Sequence, residues 1–363
     1  MRLSLGAKQM SATVPQRKYF ESLKTGASDS TAMIMSRTPF RVSLFGGGTD
    51  YPTWYRQNGG AVIGTTINKY CYISYRILPP FFEHRHRIVY SRIELPQTID
   101  QIEHPAVRNI LQDYKISEGV EIQHHGDLPA RSGLGSSSSF TVGLVNALRA
   151  HDGRISSPEW LAKEAIRMEQ QVIQEAVGSQ DQIWAAYGGT NFISFHTDGS
   201  FNVTPVVMSR ARRDELQSHM MLFFTRFSRI AQTVAALKIK NLLARKEQLR
   251  NLQRMAEEAR NILQNPDRPI SELGMLLREA WCVKKELADG VTTPAIDEIH
   301  RAAMRAGALG AKLVGAGGGG FMLILAEPQN HAAIRETLKG LIEVSFSIGS
   351  PGSRIVIYQT DGV

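Results

Sequence analysis

Cysteine is nearly absent from this chain: Cys71 and Cys282 are the only two among 363 residues. So sparse a set, far apart in sequence, excludes a disulfide framework and a Cys-x-x-Cys zinc knuckle, and fits a reducing cytoplasm. Long apolar runs are missing too; none approaches the ~20 residues needed to cross a bilayer, so no membrane partner is expected. Residues 1–30 lack the apolar centre of a secretory signal. Acidic residues are fewer than basic ones, for a formal charge of +8. Residues 1–30 carry +3 of it, through Arg2, Lys8, Arg17, Lys18 and Lys24 against Glu21 and Asp29, leaving +5 spread over the rest. That excess suits an enzyme handling anionic substrates. No RNA- or DNA-binding module signature accompanies it, so no nucleic-acid partner is expected.

Apolar residues are plentiful, at 42%, and the length suggests two domains. Residues 1–30 read as a flexible extension outside the fold, transit-peptide-like in flavour or upstream of a true start at Met33 or Met35. From Ser36 to Arg76 the pattern is β, with strands at Phe40–Phe45, Ala61–Ile67 and Tyr70–Tyr75 around a Gly46–Asp50 turn. Two more strands follow at Val89–Leu95 and Val120–His125, with a helix at about 105–115 between them. A helix is expected from Pro158 to about Val177, its Leu161, Ala165, Met168 and Val172 on one face. A strand near Asn191–Phe195 closes the first half. The second half, from about residue 206, starts with a buried strand at Met220–Thr225. Helices follow at about 230–263, 271–287 and 293–307. A strand at Phe321–Ala326, a helix at about 329–341 and a strand at about 353–358 complete that α+β layer.

The most telling stretch is Pro129-Ala130-Arg131-Ser132-Gly133-Leu134-Gly135-Ser136-Ser137-Ser138-Ser139, followed by an apolar helix from Phe140 to Leu148. A glycine-rich turn feeding a helix N-terminus offers backbone N–H groups at the positive end of the helix dipole, which suits phosphate oxygens. Glycine lets the backbone approach a ligand closely. The serines can cap the helix or ligate a magnesium ion beside the phosphates. An ordinary capped turn is the alternative, and the run of hydroxyls weighs against it. The stretch is not a Walker A loop, because no Gly-Lys-Ser/Thr follows. Nor is it Gly-x-Gly-x-x-Gly, because Ser138 holds the third glycine position.

Three patches, Pro39–Tyr51, Pro129–Ser139 and Lys312–Phe321, resemble in order and spacing the three motifs of the GHMP kinases, the superfamily of galactokinase, homoserine kinase, mevalonate kinase and phosphomevalonate kinase. The middle patch resembles its P-x-x-x-G-L-G-S-S-x phosphate loop. The last, Lys-Leu-Val-Gly-Ala-Gly-Gly-Gly-Gly-Phe, resembles its C-terminal glycine motif. The first resembles the sugar-kinase opening through Pro39, Arg41, Val42, Gly46, Thr49, Asp50 and Tyr51. The resemblance covers about residues 36–363. It implies an α+β, two-domain fold: a ribosomal protein S5 domain 2-like N-terminal domain (31–205) and a ferredoxin-like C-terminal domain (206–363). ATP and Mg²⁺ would lie in the cleft between them. Within the superfamily, Gly46–Pro52 is most similar to kinases of D-glycero-D-manno-heptose 7-phosphate. Galactokinases carry an acidic residue and a His where this chain has Gly47 and Gly48, which argues against galactose. The implied activity is phosphorylation of a sugar or sugar-phosphate hydroxyl, with a homodimer left open. A kinase of another sugar, such as fucose, and a non-catalytic sugar sensor on the same scaffold are the alternatives; Asp181, Glu169 and Ser137 together tell against the sensor.

By resemblance, Asp181 is the catalytic carboxylate that takes the hydroxyl proton, although by itself it would read as a helix-capping Asp. Arg41 sits in an apolar alternating strand, where a buried guanidinium needs a partner: a carboxylate such as Asp181, or the transferring phosphate. Glu169 resembles the family's Mg²⁺ glutamate, with Glu175 and Glu164 as competing carboxylates. Ser137 is the expected hydroxyl ligand, with Ser136 its close competitor. ATP would contact Pro129, Arg131, Ser132, Gly133, Leu134, Gly135, Ser136, Ser137 and Ser138. The acceptor would contact Gly47, Gly48, Thr49, Asp50, Gly189, Gly317 and Gly318. Arg229, with Arg226, could clamp a substrate phosphate or sit on a solvated face. The pair His124-His125 lacks companions at metal spacing and reads as a strand end.

Overall fold

The computed structural model describes residues 33–79, 81–130, 132–226 and 242–359. Arg131, Arg229 and the extension expected at 1–30 lie outside them. The first sheet begins with β1 (Met33–Phe45) and β2 (Gly60–Ile77). It continues through the short β3 (Arg87–Val89) and β4 (Ile93–Glu94) to β5 (Val120–Gly126), β6 (Thr190–Phe195) and β7 (Phe201–Pro205). The two strands expected at 61–67 and 70–75 are one. β1 pairs along both halves of β2, and its register shift between Pro39 and Arg41 absorbs the irregularity between them. On its other side β2 is shared: Cys71–Ile77 pairs with β5 and Gly60–Thr65 with β6.

A second, four-stranded antiparallel sheet has the order β11-β8-β10-β9. Its members are β8 (Met220–Phe224), β9 (Ala308–Leu313), β10 (Phe321–Ala326) and β11 (Ile342–Glu343). The last strand, β12 (Arg354–Gln359), departs from expectation. It leaves this layer and pairs antiparallel with β1, so the chain's end completes the first sheet in the order β12-β1-β2-β5-β3-β4.

Ten helices are described. In the first half they are α1 (Pro52–Asn58), α2 (Pro105–Asp113), α3 (Ser136–His151), α4 (Pro158–Arg167) and α5 (Gln180–Tyr187). In the second they are α6 (Arg210–His219), α7 (Lys246–Gln264), α8 (Ile270–Lys285), α9 (Pro294–Arg305) and α10 (His331–Thr337). None is long and apolar enough to cross a membrane. α3 is buried on nearly every side, as an apolar-all-round helix must be, and it packs on β1, β2, α4 and α5. α7 turns Leu249, Leu252, Ala256 and Ala259 into the same core as Val42 and Leu44, so the second half of the chain is seated on the first sheet. A smaller core under the second sheet holds Phe223, Trp281, Ile296 and Ile324.

The helix expected to run from Pro158 to Val177 stops earlier. α4 ends at Arg167 and gives way to a π turn, Met168–Val172. Widening the turn points Met168 and Glu169 inward together; both are buried, and a glutamate is found there only when something compensates it.

Candidate active site

Three loops meet at the end of β1, and backbone contacts join them. Arg41 donates its backbone N–H to the Leu134 carbonyl at 3.0 Å and its Nη1 to the Gly133 carbonyl at 2.6 Å. Ser139 Oγ donates to the Pro39 carbonyl at 2.9 Å. These bonds staple the serine-rich loop to the strand. The C-terminal glycine loop then lies on it with no room for side chains. A Cβ added at Gly315 would sit 2.4 Å from the Gly133 Cα, and one at Gly133 would sit 2.5 Å from the Val314 carbonyl oxygen; both residues have φ near +80°. Glycine is required there by close approach and by backbone conformation at once. Gly135, left-handed, caps α3, whose first-turn N–H groups have no partner within the helix. In the turn before them, Ser132 Oγ is buried without a hydrogen-bond partner. The arrangement has the form of an anion nest.

Beside the nest stands the Arg41–Asp181 pair. Arg41 Nε reaches Asp181 Oδ1 at 2.8 Å and Nη2 reaches Oδ2 at 2.6 Å, fork to fork. The guanidinium side chain is 5% exposed and the carboxylate 25%, so the acid looks outward while its counter-ion is sealed behind it. Asp181 is in the first turn of α5, and a Cβ at Gly135 would lie 3.5 Å from its Oδ2. It faces a cavity of about 130 Å³, shared with Ser43, Gly47, Asp50 and Gln180 from one half of the chain and Lys284 and Lys312 from the other.

Asp50 is almost fully buried and accepts from the Gly48 N–H at 2.9 Å. Its backbone carbonyl takes the Ser179 N–H at 2.9 Å. A Cβ at Gly178 would be 1.9 Å from Asp50 Oδ2, so only glycine lets this carboxylate sit against the loop before α5. Burial, then the nearby Asp50, drives the Tyr51 hydroxyl's pKa upward, keeping it a neutral donor.

Glu169 makes a second acidic corner. Burial, reinforced by Glu175, pushes its carboxyl up to about 8, while Ser138, Thr141 and Gln182 pull the other way. Ser138 Oγ donates to Oε2 at 2.9 Å and Gln182 Nε2 donates to the same oxygen. Oε1 and the Gln182 Oε1 are both buried without a hydrogen-bond partner. Two orphaned oxygens beside a serine-rich helix start suit a hard cation. Among the described residues no cluster of three or more His, Cys, Asp or Glu could hold a metal. A Mg²⁺ that keeps waters and takes phosphate oxygens requires only one or two carboxylates, so the donors fit that ion.

The structure brings Arg41, Asp181, Asp50, Gly47 and the turn 133–135 to one place. Other expected residues lie elsewhere. Ser138, not Ser137, is the hydroxyl on Glu169; Ser137 is exposed one position along the helix. Thr49 ties its own turn, donating to the Gly46 and Ala61 carbonyls. Gly189 donates to the Ser350 carbonyl. Gly317 and Gly318 pack on Val291, and Gly315 and Ala316 line the cavity in their place. Pro129 is exposed. His124 packs edge-on against Phe140 at 5.2 Å, its ring pushed down to about 4 by burial and by the neighbouring histidines.

Sequence reasoning missed Ser43, Gln180, Gly178, Lys284 and Lys312. Lys284 on α8 donates to the Leu313 and Gly315 carbonyls, both at 2.7 Å, and Lys312 donates to that of Leu44. Nothing in a helical pattern marks such a lysine as inward. Gln180, next to Asp181, was the one discoverable by position.

The N-terminal domain model of the GHMP kinases matches residues 101–189, and the C-terminal domain model matches 246–340. A mevalonate kinase of Thermococcus sibiricus is 30% identical over 260 residues, 69% of this chain and 73% of that one. The chain belongs to the GHMP kinases. It is therefore an ATP-dependent phosphotransferase with an alcohol acceptor. Among GHMP relatives, the D-glycero-alpha-D-manno-heptose 7-phosphate kinase of Campylobacter jejuni is 27% identical over 316 residues, 84% of this chain and 93% of that one. A solved structure titled as a D-glycero-D-manno-heptose 1-phosphate kinase from Bacteriodes thetaiotaomicron superposes with a TM-score of 0.72 at 25% identity, covering 90% of this chain and all of that one.

Proposed function

We propose that this GHMP kinase phosphorylates the anomeric hydroxyl of D-glycero-D-manno-heptose 7-phosphate, making a product that feeds nucleotide-activated heptose for surface polysaccharide. The observation that carries a kinase site here is the Arg41-bound Asp181 carboxylate beside the nest at Gly135, facing a cavity shared with Asp50. The acceptor assignment is supported by small residues at Gly47 and Gly48, and by the relatives named above.

When bound, Mg²⁺-ATP supplies the phosphoryl group and spreads its charge; Glu169 and the serine hydroxyls at the start of α3 would hold the ion. The chain's own residues do the rest. The nest donates backbone N–H groups to phosphate oxygens. Arg41 fixes both oxygens of Asp181, and each oxygen keeps a lone pair for the attacking hydroxyl, whose proton it accepts. Asp50 accepts from sugar hydroxyls. Asp181 lies near enough to the nest that a Cβ on Gly135 would be 3.5 Å from its Oδ2, so donor and acceptor sites adjoin and positioning supplies most of the rate.

The test is ADP release from Mg²⁺-ATP with a panel of sugars and sugar phosphates, the product linkage read by phosphorus NMR. Heptose 7-phosphate is expected to give the highest kcat/KM and a new anomeric phosphate. A better hexose, a 6-deoxysugar or mevalonate as acceptor would overturn the assignment.

A further inference from the structure

Gln180 is about 9% exposed, at the head of α5. Ser43 Oγ, on β1, donates to its Oε1 at 2.9 Å in a buried bond. That bond uses the amide's acceptor and turns the other end, Nε2, toward the cavity wall at Gly47. A Cβ on Gly47 would lie 3.8 Å from Nε2, so any longer side chain there would meet the amide. Nε2 itself has no hydrogen-bond partner among the described residues, although it can donate twice. The next residue in the chain is Asp181, and both side chains line the same cavity.

We propose that Gln180 is a specificity-determining residue, donating from Nε2 to an oxygen of the acceptor close to the hydroxyl that faces Asp181. This rests on the sugar-kinase reading above and goes beyond it by naming a recognition contact. The ligand chemistry is that of an oxygen lone pair: a hydroxyl or ring oxygen of a polyhydroxylated acceptor. Asp181 and Asp50 accept, and Gln180 donates, so the cavity distinguishes the orientation of neighbouring oxygens. Ser43 is a positioning residue, since it holds the amide in the donating orientation. Gly47 contributes the empty space.

Gln180→Glu keeps the shape and replaces the donor by an acceptor; Gln180→Leu removes both. In each, the KM for the sugar is expected to rise about tenfold or more, with kcat changed less than about threefold and the KM for ATP unchanged. A single buried donor lost from a polar ligand has an effect of that size. Single-deoxy analogues then identify the contact. The wild type should discriminate strongly against one analogue, and Gln180→Leu should not. Ser43→Ala should weaken that same discrimination, and Gly47→Glu, which would occupy the amide internally, should abolish it. Thermal midpoints of all variants, read beside the kinetics, separate misfolding from lost recognition. If the wild type phosphorylates a sugar and the Gln180 variants keep its KM and its analogue profile, this inference fails and the kinase reading stands. If the wild type phosphorylates no sugar, both fall.

Discussion

Two carboxylates flank the serine-rich loop, and their surroundings make them opposites. Asp181 is gripped on both oxygens by a buried Arg41 and looks into the cavity. Glu169 is wholly buried, takes two neutral donors on one oxygen, has none on the other, and has its carboxyl pushed up to about 8. The first carboxylate has a fixed bidentate partner; for the second, burial disfavours the charged form. One acid clamped by a guanidinium and one buried among neutral donors show how local environment, more than residue type, sets what a carboxylate can do.

The sharpest way to break this contrast is Asp181→Asn. It keeps the contact with Arg41 partly intact but removes the proton acceptor, so kcat is expected to fall about a thousandfold while ATP still binds. A steady-state assay with equilibrium nucleotide binding checks both, and normal turnover would remove Asp181 from the mechanism. A smaller effect is expected from Gly178→Ala. The new methyl would overlap Asp50 Oδ2 and displace that carboxylate, raising the acceptor KM about tenfold and leaving the KM for ATP unaltered. The smallest effect concerns the other acid. Without nucleotide or divalent cations, the unfolded chain ionises Glu169 near its ordinary 4.5, and the folded protein does so only near 8. Folding thus holds the extra proton. Its stabilising contribution is complete below about pH 4.5 and is lost as pH rises toward 8, at up to about 1.4 kcal/mol per pH unit. Glu169→Gln should flatten the part of the melting-temperature profile between those limits, and parallel wild-type and variant profiles would show that Glu169 does not titrate there.

Much of this was legible in the chain. The apolar run after Ser139 announced a buried helix, and the alternation around Phe40–Phe45 announced a strand with an arginine that needed a partner. The partner proved to be Asp181. Less was visible at the corners. The π turn at Met168–Val172 leaves no periodic signature, because it is chosen by what the widened turn buries. Ser137 and Ser138 are chemically identical, and only the approach of Glu169 separates them. The final strand's alternation suited either sheet; the open edge of β1 received it.

What amino-acid order determined by itself was local: glycines where backbones must touch, hydroxyls at a helix start, and the periods of helices and strands, all set by φ/ψ freedom and hydrogen-bonding capacity within a few residues. Tertiary structure alone decided which acid met which cation, which serine faced Glu169, that Lys284 turned inward to loop carbonyls, and that Gln180 was held with its donor toward the cavity. Those outcomes depend on desolvation and on contacts between residues from about thirty to 140 positions apart, quantities that exist only once the chain has closed on itself.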